Sequence, residues 1–74
     1  MSSPAAQKSP SPNNLRELRL AANLSEERLA RWADISYGTI RRIERGGSPT
    51  LTSARKIAAA LGVTVDAIWP EIEL

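Results

Sequence analysis

The chain has 74 residues, with 10 Lys or Arg against 8 Asp or Glu and a formal charge of +2; it has room for one small domain, and its bulk charge says little about partners. Having neither cysteine nor histidine, it is expected to hold no disulfide, thiol nucleophile, imidazole base or common zinc site. No paired carboxylates, phosphate-cradling loop or serine motif stand at useful spacing, and no apolar run reaches membrane-spanning length, so the expectation is a cytoplasmic protein that is not an enzyme and needs no cofactor or metal.

Residues 1–12 carry Pro4, Pro10, Pro12 and several serines, with no large aliphatic side chain after Met1, which is the composition of a disordered arm. Lys8 on such an arm suits a minor groove, but a flexible leader is the preferred reading. From Asn14 the pattern turns helical: Leu15, Leu18 and Ala22 recur at three and four residues, with Arg16, Glu17 and Arg19 between them. Asn13 or Asn14 is placed to cap the start, and Asn23 to close the end. Ser25 opens a second helix, Glu26 to Ala33, with both glutamates favourably set in its first turn and Leu29, Ala30 and Ala33 facing inward. Asp34 and Ile35 then turn the chain, and small alanines let two helices cross closely.

A third helix starts at the Ser36 cap and stops at Gly46, with Ile35 and Ile40 spaced as a hydrophobic staple. At about 100° per residue, Ile40 and Ile43 share one side, while Tyr37, Gly38, Arg41, Arg42 and Arg45 fall within roughly 140° on the other. Arginine has the planar fork that matches guanine in the major groove and serves equally well on phosphate, and Tyr37 adds a ring and a hydroxyl near the helix start. A solvated basic face is the bland alternative. For a lone helix the two readings weigh about equally, and it is the surrounding pattern that favours DNA.

Past Gly46-Gly47-Ser48-Pro49, Thr50 caps a fourth helix predicted to bury Leu51, Ala54, Ile57, Ala58 and Leu61 and to stop at Gly62. Thr64 starts a last short turn with Val65, Ile68 and Trp69, which Pro70 ends. The predicted fold class is all-α, five helices and no strands, over residues 13–70. In the tail, residues 71–74, Ile72 and Leu74 alternate with Glu71 and Glu73 and either lie along the domain or join Ile68 in a dimer seam.

Four segments in this order, Leu15-Arg16-Glu17-Leu18-Arg19, Leu24 to Ala30, Ile35 to Gly46, and Ile57 to Asp66, resemble the Cro/C1-type (XRE) helix-turn-helix family of phage repressors and bacterial regulators. The resemblance covers Leu15 to about Trp69 and implies a lambda-repressor-like DNA-binding domain whose third helix lies in the major groove. It implies base contacts from Tyr37, Gly38 and Arg42, with Thr39 and Arg41 nearby. Phosphate contacts would come from Ser25 and Glu26 at the second helix start, from Arg45, and from the backbone amides of Gly47 and Ser48. It also implies a structural ion pair between Arg19 and Glu44.

Three departures stand out. Glu26 replaces the family's usual glutamine, Gly38 takes a reading position without a side chain, and the loop from Gly46 to Thr50 lacks the basic residues of some relatives. Leu20 and Trp32 occupy usually polar sites. Trp32 either marks a partner surface or covers the edge of the core, and the second is preferred. Arg16, Arg31, Arg55 and Lys56 read as solvated charges. The expected function is a sequence-specific, double-stranded DNA-binding transcriptional regulator, a repressor rather than an activator, acting as a homodimer. A protein-interaction module such as an antitoxin component, docking through Trp32 and Leu20 with weak DNA binding, is the alternative. Phage repressor, restriction-modification controller and antitoxin are all compatible identities.

Overall fold

A computed structural model describes residues 12–70; the predicted arm (all but Pro12) and the tail lie outside the described residues. Five helices follow in order: α1 Leu15–Ala21, α2 Glu26–Ala33, α3 Tyr37–Glu44, α4 Leu51–Leu61 and α5 Val65–Ile68. Among the described residues there are no strands. Helices this short are marginal alone, so their stability comes from caps and from the faces they bury together.

The starts follow one rule. Ser25, Ser36, Thr50 and Thr64 each hold an extended conformation, and each hydroxyl accepts from the amide three residues on, at 3.0 to 3.2 Å. The first helix differs. Asn14 stands at its cap position but turns its side-chain amide onto the Ala67 carbonyl, while Asn13 Oδ1 accepts from the Leu15 amide. Asn13 Nδ2 also donates to the Ile43 carbonyl at 2.9 Å, so this buried residue ties the start of α1 to the end of α3.

The ends follow a second rule. After α1, α2, α3 and α4 the chain enters positive φ at Asn23, Asp34, Gly46 and Gly62. The next residue then donates its amide to a carbonyl five residues back: Leu24 to Arg19, Ile35 to Ala30, Gly47 to Arg42 and Val63 to Ala58, at 2.9 to 3.1 Å. Leu24 belongs to the core, and Ile35 and Val63 pack against it. The third helix alone puts a glycine at that position.

Leu15, Leu29, Ile40, Ile43, Ile57 and Ile68 are fully buried, and α2 packs on both α3 and α4, with α1 on α3 and α5 on α4. Ala30, Ala33, Ala54 and Ala58 are buried as well, and their small side chains suit close helix crossings. Trp69 closes the bottom of the core.

Three burial expectations need correction. Leu51 is 44% exposed, because a side chain in the first turn of a helix leans toward the N-terminus and overhangs the end of the core. Ala22 is exposed, since α1 ends before it. Trp32 is 63% exposed and so does not cover the core edge; it lies well off the stripe of Leu29, Ala30 and Ala33 that faces α3 and α4.

Candidate nucleic-acid interface

The α2-turn-α3 unit is held from below. Ile40 and Ile43 are fully buried, and Ile35 packs against the core ahead of them, so the opposite side of α3 is left to solvent. Arg19 and Glu44 meet beneath the C-terminal end of α3: Arg19 Nε donates to Glu44 Oε2 at 2.5 Å and Nη2 to Oε1 at 3.3 Å. Both side chains are about nine-tenths buried, and Arg19 Nη1 also donates to the Leu24 carbonyl. A buried pair satisfied this fully fixes the seating of α3 on α1, and loss of either partner strands a charge.

On the outer side, Gly38, Arg41, Arg42, Arg45 and Gly47 line an open recess of about 480 Å³. Three arginines therefore line one concavity together with two glycines. The Arg41 guanidinium stands 5.6 Å from the centroid of the Tyr37 ring, a cation–π geometry that braces both side chains one turn apart. Tyr37 itself is 42% exposed. Gly38 has no steric reason to be glycine: a Cβ there meets nothing within 4 Å.

Arg42 leans off the helix onto the following loop, where Nη1 donates to the Ser48 carbonyl at 3.3 Å. Thr39 is half-buried, and its hydroxyl accepts from the Ser36 hydroxyl at 2.7 Å, which leaves its own proton to offer. Ser25, Glu26 and Thr39 are not walls of the recess. Ser25 is engaged as the cap of α2, and Glu26 opens that helix, half-buried, where a carboxylate suits the helix dipole but not an incoming phosphate. The expectation for the Gly47 amide is corrected: it donates to the Arg42 carbonyl at 2.9 Å, so it completes the helix end and is not free for phosphate. Lys56 is exposed, as expected for a solvated charge, and reaches the Asp34 carbonyl at 3.5 Å and its carboxylate at 3.8 Å.

Asn13 and the Gly47–Arg42 contact are what sequence reasoning missed. Asn13 carried a signal only as a possible cap, because its bond to Ile43 spans thirty residues of chain. Among the described residues, no cluster of acidic side chains is arranged to hold a metal ion, and no helix is long and apolar enough to cross a membrane.

Comparison with known proteins agrees with this geometry. A family model described as helix-turn-helix matches residues 15–68, which spans all five helices. A protein of Bacillus subtilis (strain 168), named as the uncharacterized HTH-type transcriptional regulator RghRB, is 44% identical over 57 residues, covering 74% of this chain. The chain spans only 41% of the length of that relative. With capped α2 and α3 joined by a tight turn, seated on a shared core and matched along their whole length, the chain belongs to the Cro/C1-type (XRE) helix-turn-helix family.

Proposed function

We propose that the chain is a sequence-specific double-stranded DNA-binding transcriptional regulator that lays α3 in the major groove and represses by occupying a promoter. The observation that carries this reading is the recess in which Arg41, Arg42 and Arg45 converge between Gly38 and Gly47 on the solvent side of α3. Arg42 and Arg41 supply forks for base edges, Tyr37 an apolar ring beside them, and Arg45 a phosphate contact at the end of the helix. Ser25, Ser48 and, through its main-chain amide, Glu26 stand as the candidates at the flanking backbone, with Thr39 offering its hydroxyl proton toward the bases. The site binds and has no part suited to catalysis. A homodimer would present two such helices about 34 Å apart on one face of DNA. The relative's name, an HTH-type transcriptional regulator, supports the regulatory part of the reading.

Selection of bound duplexes from a random pool at near-physiological salt tests it. Enrichment of an approximate palindrome with half-sites about one helical turn apart is expected. If the folded protein enriches no sequence, the reading passes to the second one, a protein-interaction module. That reading draws on Leu20 and Trp32, which are 55% and 63% exposed.

A further inference from the structure

The glycine at position 47 has a neighbour that explains it. A Cβ built there would lie 2.7 Å from Arg42 Nη1 and 2.8 Å from Arg42 Cγ. Root and tip of the arginine thus both lie against the bare Cα, and a rotation of the guanidinium moves Nη1 away but leaves the overlap with Cγ. Any side chain at this position displaces the whole Arg42 side chain and takes Nη1 away from the Ser48 carbonyl.

The backbone is a second obstacle. The same Cβ would lie 2.9 Å from the Arg42 carbonyl oxygen, yet the chain repeats this turn after α1, α2 and α4 with Leu24, Ile35 and Val63 in the equivalent place. The turn accepts a side chain three times over. The fourth instance differs in two ways: Gly46 holds φ 110° against 59° to 72° at Asn23, Asp34 and Gly62, and the Arg42 side chain lies across the turn.

We infer that Gly47 is a positioning residue for Arg42: by presenting no side chain, it lets the loop pin one guanidinium nitrogen to the Ser48 carbonyl and so fixes the plane in which Arg42 meets a base. This rests on the DNA reading given above. Arginine carries five N–H donors, and one bond to the loop leaves four, enough for a two-pronged contact to the O6 and N7 of guanine. A pinned fork discriminates between bases. A free one adapts to whatever acceptor is near, phosphate included, so its loss of order costs selectivity before it costs attraction.

The test is a double-mutant cycle on selectivity, using the full chain as wild type, Gly47→Ala, Arg42→Ala and the double variant. The quantity measured is the affinity for the selected duplex divided by that for the same duplex with the Arg42-dependent base pair exchanged. Gly47→Ala is expected to lower this ratio about three- to tenfold when Arg42 is present, the range for freeing one immobilised side chain, and to leave it unchanged in the Arg42→Ala background. Equal loss in both backgrounds, or no loss in the first, overturns the positioning role while leaving the DNA reading intact. A ratio of one for the wild type overturns the DNA reading and this inference with it. Should Gly47→Ala fail to fold, nuclear Overhauser contacts between the Gly47 α-protons and the Arg42 γ-protons in the wild-type protein decide the matter; their absence overturns the inference.

Discussion

Arg42 and Arg45 lie on the same recess but are built for different work. Arg42→Ala is expected to weaken binding to the preferred duplex by about 1–3 kcal/mol and to relax selectivity at one base pair. Arg45→Ala is expected to weaken all duplexes alike and to flatten the dependence of log K on log salt by about one unit. Titrations of specific and random duplexes across a salt series separate the two roles, and parallel losses for both variants would remove the assignment. Gly38 offers a sharper contrast, because its Cβ position is open. Gly38→Ala should raise folding stability by about 0.5–1 kcal/mol through helix propensity. If the groove wall comes close to this backbone, the same methyl should lower DNA affinity. Thermal unfolding and a binding titration on one sample read both signs, and a variant that gains stability without losing affinity would show that DNA stands off from this position.

The seating of α3 depends on groups far from it in sequence. Arg19 reaches Glu44 across twenty-five residues and Asn13 reaches Ile43 across thirty, so α1 and the strand of chain before it form the bed on which the outer face is held. Glu44→Ala leaves the Arg19 guanidinium buried with only the Leu24 carbonyl as partner. The expected cost is about 3 kcal/mol, a large share of what a domain of this size has. Circular dichroism should show a fall in melting temperature of more than about 10 °C. A fall of only one or two degrees would mean that the pair is no better than a surface contact. The Ser36 cap is a smaller lever. Ser36→Ala removes the acceptor for the Thr39 amide and the donor to the Thr39 hydroxyl, and should cost about 1 kcal/mol by chemical denaturation.

For the whole molecule, the outer side of α3 and the exposed Leu20 and Trp32 make separate demands on solvent. Trp32 sits on α2 outside the recess, so Trp32→Ser should leave affinity for the selected duplex within about twofold; a change in sedimentation behaviour accompanied by lost DNA binding would instead tie this side chain to assembly on DNA. The loop from Gly46 to Thr50 has no basic side chain, which limits the phosphates the domain neutralises. A shallow salt dependence per protomer, a log–log slope of about two to four in magnitude, is therefore expected from fluorescence anisotropy with labelled duplex. A slope near ten would demand cationic contacts from residues beyond this face.

The helices, their starts and most of their ends were legible in the sequence because they rest on local chemistry: a hydroxyl accepts an amide three residues away, and a residue tolerant of positive φ closes a turn. Ser25, Ser36, Thr50 and Thr64, and then Asn23, Gly46 and Gly62, act within a few residues of where they stand. The side of α3 left to solvent was legible for the same reason, since 100° per residue sorts Ile40 and Ile43 from the arginines. Even Gly47 left a trace, as the position that holds Leu24, Ile35 and Val63 after the other long helices. Burial at the rim was not legible. Leu51 and Trp32 are exposed because no element among the described residues arrives to cover them, and helical periodicity carries no information about where a core stops. Nor did the sequence determine that Asn13 spans to Ile43 or that Arg42 lies against Gly47 with its tip on Ser48, because those contacts exist only once helices distant in the chain are packed and a long side chain has settled on one of several acceptors.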